Sequence, residues 1–186
     1  IDNANKLGYK IKLLGFAELL NNKIYQRVHP TLIKKESYVA SIDGVLNAVI
    51  VDAIPVGQSS IQGEGAGAAA TTSALVSDIS SILRGNVKFP FSISSKERKY
   101  LKFNKIDDRL FSAYLRFEVL DKPGVLSNIT NIFSKNKVSI KRLLQNPDKN
   151  KQGASIIIVT HKSKNKFLTK ILGEVTKKKY IKRKPK

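Results

Sequence analysis

The order of hydrophobic periodicities in residues 111–186 constrains the fold more than any other feature of this 186-residue chain. Alternating apolar and polar residues are typical of a half-buried strand, whereas apolar residues three and four positions apart are typical of an amphipathic helix. These patterns predict, in chain order, a strand at 115–119, a helix at 125–133, strands at 138–144 and 154–160 with a turn at 146–153 between them, and a helix at 167–175. The order β-α-β-β-α is one strand short of a split β-α-β sandwich. We expect the last strand after Lys186 or at Tyr180 and Ile181.

A proline-glycine turn joins the first strand of this segment to its first helix. Pro123 fixes the turn, and Gly124 opens a helix whose free N–H groups can bind a carboxylate. A turn without any ligand explains the same residues equally well. The pattern therefore leaves both a ligand-binding loop and a purely structural turn open.

The residues around this turn resemble those of an ACT domain, a small-molecule regulatory module. The resemblance is carried by Val-Leu-Asp-Lys-Pro-Gly-Val-Leu at 119–126 and Val-Ser-Ile at 138–140. It implies a ferredoxin-like βαββαβ ACT regulatory domain at 111–186, with the last strand truncated. It also implies an amino-acid effector, with threonine expected, bound by Asp121, Pro123, Gly124 and Gln145. Because many such domains only dimerise, an effector-free unit is the alternative.

Residues 1–85 are predicted to form a second unit that is rich in strands. The predicted elements are the end of a helix closed by Gly8, strands at 9–14, 24–33, 45–54 and 56–61, a turn at Asn21 and Asn22, and a helix that ends before Gly85. The strand at 45–54 is so apolar that we expect burial on both faces. Pro30 places the strand at 24–33 at an edge or a bend, because proline cannot donate to a sheet. Residues 86–110 lack periodicity and are interpreted as a linker.

A glycine-rich stretch at 63–73, Gly-Glu-Gly-Ala-Gly-Ala-Ala-Ala-Thr-Thr-Ser, leads directly into that last helix. A glycine-rich turn at a helix N-terminus offers free N–H groups and the positive end of the helix dipole, which suit a phosphate. A tight turn with close backbone packing fits the same residues. Short glycine patterns are weak signals, so the surrounding sequence has to decide.

The segment at 1–85 resembles the C-terminal part of homoserine dehydrogenase. The matching runs are Leu-Gly-Tyr-Lys-Ile-Lys-Leu-Leu at 7–14, Arg-Val-His-Pro-Thr-Leu-Ile at 27–33, Asp-Gly-Val at 43–45, Asn-Ala-Val at 47–49, Val-Gly at 56–57 and the glycine-rich stretch at 63–73. That family interconverts L-homoserine and L-aspartate 4-semialdehyde with NADP or NAD, in threonine, methionine and isoleucine biosynthesis. The resemblance implies an α+β chain, with a mixed-sheet segment of the substrate and dimerisation domain, a homodimer or higher oligomer, and a helix that returns to a Rossmann domain.

The same resemblance identifies cofactor-binding residues in the glycine-rich stretch. Gly67 is expected to contact the nicotinamide cofactor, with Gly65, Ala66 and Thr71 as neighbours. No strand is followed by Gly-x-Gly-x-x-Gly, and the catalytic Lys of the family is expected upstream of Ile1. We therefore expect a fragment that contains no catalytic residue and is inactive alone. A stand-alone ACT-containing amino-acid sensor or dimerisation module is the alternative.

Several polar residues outside these motifs resemble catalytic groups but have simpler explanations. Asp2 and Lys6 lie four apart on a helix, where a salt bridge is the usual outcome. For the others we expect structural roles: an ion pair or dimer contact for Arg27, a structural or interface role for His29, backbone hydrogen bonds for Asn47 and a loop position for His161.

The charge of the chain is strongly positive, with a formal net charge of +20. Most of the basic residues are dispersed lysines without interleaved aromatics, which argues against a nucleic-acid groove. With no cysteine and two histidines, neither a disulfide nor a metal site is expected. No apolar run reaches membrane-spanning length and no signal-peptide pattern opens the chain, so we expect a cytoplasmic protein that binds neither membrane nor nucleic acid.

Overall fold

The computed structural model describes residues 1–86, 88, 92–104, 109–148 and 153–183. The chain divides into two compact units. Unit 1 contains residues 1, 3–14 and 29–101, and unit 2 contains residues 2, 15–28 and 102–186. One long hairpin contributes its base to unit 1 and its tip to unit 2.

The described part of unit 1 contains three α-helices, two whole strands and half of each of two others, several of them longer than predicted. These are α1 (Asp2–Lys6), β1 (Tyr9–Leu20), β2 (Lys23–Lys34), α2 (Tyr38–Ser41), β3 (Leu46–Ala53), β4 (Gly57–Glu64) and α3 (Ala68–Leu83). The β1–β2 hairpin turns at Asn21 and Asn22, whose φ angles of 50° and 57° fit the two-residue turn that matches strand twist. The predicted turn is therefore confirmed.

Strands β3 and β4 form an antiparallel pair from Leu46 opposite Glu64 to Ala53 opposite Gly57. The prediction that this apolar strand is buried on both faces is wrong. Every residue of β3 is at least partly accessible, and Val49 is 62% exposed. Apolar composition makes burial favourable, but burial requires a covering layer, and β3 pairs with β4 alone among the described strands.

Helix α3 follows the glycine-rich stretch and ends where the sequence predicts. The N–H of Gly85 donates to Ile82 O over 2.9 Å, and the N–H of Asn86 donates to Ser81 O over 2.9 Å. With φ at +74° for Gly85, this is the Schellman arrangement that satisfies the last carbonyls of a helix. No residue of α3 is buried.

Unit 2 contains an antiparallel four-stranded sheet with two helices. Its elements are β5 (Lys102–Phe103), β6 (Leu110–Phe111), β7 (Tyr114–Val119), α4 (Val125–Lys135), β8 (Ile140–Asp148), β9 (Gly153–Thr160), β10 (Ser163–Lys164), α5 (Asn165–Thr176) and β11 (Ile181–Arg183). The sheet order β11-β7-β9-β8 and the β-α-β-β-α-β connection make this the predicted ferredoxin-like fold. The last strand begins at Ile181, one of the two predicted places.

The predicted turn at 146–153 begins too early. Asn146, Pro147 and Asp148 continue β8 and pair with Ser155, Ala154 and Gly153 of β9. A proline is tolerated because β8 lies at the edge of the sheet.

The core of unit 2 lies between the sheet and the two helices. Phe117 on β7 and Phe133 on α4 are fully buried, and their rings meet edge-on with centroids 6.3 Å apart. Val119, Ile129, Ile156, Ile158, Ile171 and Val175 complete the fully buried set of this cluster, each with at most 1% exposure. Among the described residues, no helix is long and apolar enough to cross a membrane.

Candidate functional site

The glycine-rich turn of unit 1 brings the four expected cofactor-binding residues together. Gly65 donates its N–H to Val45 O over 2.8 Å, which anchors the turn beside β3. Gly67 is the N-cap of α3, and its carbonyl accepts the N–H of Thr71 over 3.0 Å. Gly65, Ala66, Gly67 and Thr71 are all exposed.

Gly67 has a backbone conformation that other residues rarely adopt, with φ at +124°. A Cβ added at Gly67 would find no heavy atom within 4 Å, so the space beside its backbone is open. The N–H groups in the first turn of α3 lack intrahelical acceptors, and no side chain caps them. The turn can therefore accept a ligand against its backbone, with anionic or carbonyl groups favoured.

Asn47 on β3 lies directly against this turn. A Cβ added at Gly65 would lie 1.4 Å from Nδ2 of Asn47 and 2.5 Å from its Cγ, so Asn47 fills the space of a side chain at position 65. Asn47 is itself exposed, and its side chain makes no hydrogen bond to the described residues. The prediction that Asn47 satisfies backbone groups is therefore wrong, because its carboxamide points into the glycine turn instead.

The second candidate site is a cavity of about 470 Å³ at the start of α4 in unit 2. It contains all four expected effector-binding residues. Its lining consists of residues 119–126 together with Gln145 and Ile156. The cavity therefore lies between the turn after β7 and the edge strand β8.

The polar groups of this cavity suit a zwitterion such as an amino acid. Gly124 is the N-cap of α4 with φ at +85°, and its carbonyl accepts the N–H of Asn128 over 2.9 Å. The N-terminus of α4 thus presents N–H groups for a carboxylate. Asp121 supplies a carboxylate for an ammonium, and Gln145 Nε2 donates a hydrogen bond to Asp121 Oδ1 over 3.3 Å.

The polar residues outside the two candidate sites differ from one another in the contacts that they make. Asp2 and Lys6 share α1, but no ion pair joins them within the described chain, so the expected salt bridge is wrong. His29 Nδ1 lies 2.8 Å from Pro30 O and 3.1 Å from Thr31 Oγ1, a local contact. His161 follows β9, and its N–H donates to Ser139 O, so its predicted loop position is confirmed.

Arg27 contacts aromatic rings, and its expected ion pair is absent from the described part of the chain. Its guanidinium lies 5.1 Å from the centroid of Phe111 and 5.8 Å from that of Tyr25. Arg109 lies 4.0 Å from the centroid of Tyr25 and forms an ion pair with Glu18. Sequence reasoning did not find this cluster, because its members are distant in sequence and carry no shared spacing.

Asp43 in unit 1 is an acid whose pKa is lowered by two neighbouring lysines. Hydrogen bonds from the ammonium groups of Lys10 and Lys12 hold the pKa of Asp43 below its usual value of 3.8. In unit 2, burial raises the pKa of Tyr114 and of Tyr180. None of these groups lines either candidate site.

Comparison with known proteins covers both units. The homoserine dehydrogenase family model matches residues 1–80, and the ACT domain model matches residues 113–176. Homoserine dehydrogenase of Neisseria gonorrhoeae is 35% identical over 185 residues, which covers 94% of this chain and 42% of the relative. The Helicobacter pylori homoserine dehydrogenase is 34% identical, covering 92% of this chain and 40% of the relative.

A solved structure of a homoserine dehydrogenase from Thiobacillus denitrificans resembles the whole chain. The TM-score is 0.84 at 31% identity, covering 100% of this chain and 43% of the other. Structures of the Staphylococcus aureus homoserine dehydrogenase also match, for example with a TM-score of 0.57 at 28% identity. The chain spans about two fifths of the length of the curated relatives it matches.

Proposed function

Because this chain belongs to the homoserine dehydrogenase family over residues 1–80 and to the ACT domain family over residues 113–176, we propose that it is part of a homoserine dehydrogenase. The proposed enzyme interconverts L-homoserine and L-aspartate 4-semialdehyde with NADP or NAD. Its ACT unit binds an amino acid that regulates the reaction, with threonine as the first candidate. The observation that carries the proposal is the match of both units, in order, to enzymes of this name.

The glycine-rich turn is the proposed contact with the nicotinamide cofactor. The residues fit that group, because Gly67 leaves open space beside its backbone and no side chain caps the first turn of α3. Gly65, Ala66 and Thr71 complete this wall of the site. When bound, the cofactor supplies the hydride acceptor for homoserine oxidation. The chain's own contribution is to hold the cofactor against a shaped backbone surface.

The groups that perform proton transfer are proposed to lie in another part of the enzyme. Neither Asp2 with Lys6 nor His29 belongs to the glycine-rich turn or to the cavity in unit 2. We therefore expect the 186-residue chain alone to be inactive.

The exposed apolar residues of β3, such as Val49 and Val51, support a further contact surface, for which a second protomer is the proposed partner.

The cavity in unit 2 is the proposed effector site. Asp121 and the N-terminus of α4 provide the opposite charges that an amino-acid zwitterion requires, and Gln145 orients the carboxylate of Asp121. Pro123 and Gly124 shape the turn between them.

A direct test compares two purified proteins: the 186-residue chain and the complete polypeptide that carries it. Oxidation of L-homoserine would be followed by the absorbance of the reduced nicotinamide, with NADP and with NAD. We expect turnover by the complete polypeptide and none by the 186-residue chain. Turnover by the shorter chain would contradict the assignment of catalysis to other segments. An inactive complete polypeptide with both cofactors would contradict the proposed reaction itself.

A further inference from the structure

Asn47 occupies a position that connects β3 to the glycine-rich turn. Its Nδ2, Cγ and Cβ atoms lie 1.4, 2.5 and 3.3 Å from the position that a Cβ at Gly65 would take. Contacts shorter than about 3 Å to a Cβ essentially do not occur, so the present Asn47 rotamer is compatible only with glycine at position 65. The three heavy atoms nearest to that position all belong to Asn47.

The backbone beside Asn47 holds the same glycine. Val45 O accepts the N–H of Gly65 over 2.8 Å, and Asn47 follows two residues later. The carbonyl of Val45 and the side chain of Asn47 therefore both contact Gly65. Gly63, two residues before Gly65, is the register partner of Asn47. The turn is therefore fixed at Gly65 by one hydrogen bond and one packed side chain.

A carboxamide at this place is unusual for its strand. Every other residue of β3 from Leu46 to Val51 is apolar. The Asn47 side chain makes no hydrogen bond within the described chain. An apolar side chain would satisfy β3 equally well as a strand former. The contact that distinguishes Asn47 is with Gly65, two residues before Gly67.

We propose that Asn47 is a positioning residue for the cofactor wall. Its side chain fills the space above Gly65 and thereby holds the turn through Ala66 to Gly67 in the orientation that presents the Gly67 backbone. This inference rests on the proposed function, in which Gly67 lies against the nicotinamide cofactor. Asn47 acts through the turn and is not assigned a contact with the cofactor.

The first test uses the 186-residue chain and does not depend on activity. Hydrogen exchange at the Gly65 amide reports the bond to Val45 O, so Asn47→Ala is expected to accelerate that exchange on the order of tenfold. Asn47→Asp preserves the shape and is expected to leave the exchange rate unchanged. Gln58→Ala, at the exposed far end of β4, is the matched control. Equal exchange in Asn47→Ala and the unaltered chain would overturn the proposal.

The second test uses the complete polypeptide and separates the two substrates. Asn47→Ala is expected to raise KM for the nicotinamide cofactor on the order of tenfold while KM for L-homoserine stays within about twofold, because only the cofactor wall is misplaced. Asn47→Asp is expected to leave KM for the cofactor at the value of the unaltered polypeptide. Gly65→Ala displaces the end of the Asn47 side chain, so it should raise the cofactor KM by a similar factor.

The double variant decides whether the two residues act as one unit. If Asn47 works through Gly65, the combination of Asn47→Ala with Gly65→Ala should be no worse than either single change. Multiplied effects, or an unchanged cofactor KM in Asn47→Ala, would overturn the positioning role while leaving the proposed reaction intact. An unaltered polypeptide without homoserine turnover would instead overturn the proposed function.

Discussion

Gln145 on the edge strand β8 donates a hydrogen bond from Nε2 to Oδ1 of Asp121 in the turn after β7, over 3.3 Å. The two residues are 24 positions apart in sequence, and both line the cavity at the start of α4. A ligand in that cavity would meet a carboxylate whose orientation is set by β8. The bond therefore gives the proposed effector site a specific and testable geometry.

We expect threonine to bind the 186-residue chain through this cavity, with heat measurable by isothermal titration. Gly124→Val should abolish the heat, because valine cannot adopt the φ of +85° without strain and the α4 N-terminus would shift. Gln145→Ala should weaken binding on the order of tenfold through the freed Asp121 carboxylate. Gln26→Ala, an exposed residue of β2, is the control. Equal heats for Gly124→Val and the unaltered chain would remove the site from this turn.

Gly67→Ala should disturb the start of α3, whereas Gly63→Ala should not. Both glycines have open space around a new Cβ, but only Gly67 has a positive φ, at +124°. An alanine at Gly67 has a strain of about 1–3 kcal/mol or forces the turn to a new conformation. In the complete polypeptide we expect a raised cofactor KM for Gly67→Ala alone. Equal KM values for the two variants would contradict a special role of this backbone conformation.

Tyr25→Phe should stabilise the chain by about 1 kcal/mol in urea unfolding. Tyr25 is 4% exposed, and its buried hydroxyl has no hydrogen-bond partner among the described residues. Removing the hydroxyl removes its desolvation cost and keeps the ring between Arg109 and Phe16. Tyr38→Phe is the matched comparison, since its hydroxyl donates to Gln62 over 2.8 Å and its loss should be slightly destabilising. Clear destabilisation by Tyr25→Phe would mean that the hydroxyl has an acceptor in solution.

Asp43 should make the stability of unit 1 depend on pH in the acid range. Its pKa is lowered in the folded state, so its contribution is fully present above the unfolded value of 3.8 and is lost as the pH falls through the lower folded value. Asp43→Asn should flatten that part of the profile, because Lys10 and Lys12 lose their shared carboxylate. Urea unfolding between about pH 6 and pH 3 measures the difference. The Asp52→Asn control should retain the original slope, and a shared slope in all three proteins would exclude Asp43 as its source.

The fold of unit 2 could be predicted because its information is local. Ile129, Ile132 and Phe133 repeat at helical spacing on α4, and Leu115, Phe117 and Val119 alternate on β7 with burial that alternates in the same way. The end of β8 could not be predicted, because Asn146, Pro147 and Asp148 favour a turn locally. Pairing with β9 overrode that preference at a sheet edge.

The candidate sites were predictable in part, since contacts across strands carry no sequence spacing. The turn at Asp121 to Gly124 has a local signature, and the cavity there also contains Gln145, as expected. The packing of Asn47 on Gly65 has no local sequence signature, because it depends on the strand register that places Leu46 opposite Glu64. The same reason hid Arg109, whose partners Glu18 and Tyr25 precede it by more than 80 positions.

Helix α3 has 16 residues and buries none of them, while Leu75, Val76 and Ile79 on its apolar stripe are each more than half exposed. Isolated helices of about this length are marginally stable in water. Covering this stripe would therefore stabilise α3, and any partner that docks on it would shift the helix population by mass action. The proposed cofactor contact at Gly67, the N-cap of this helix, would then be stabilised further by such an association, so cofactor affinity would rise with the concentration of the docking partner.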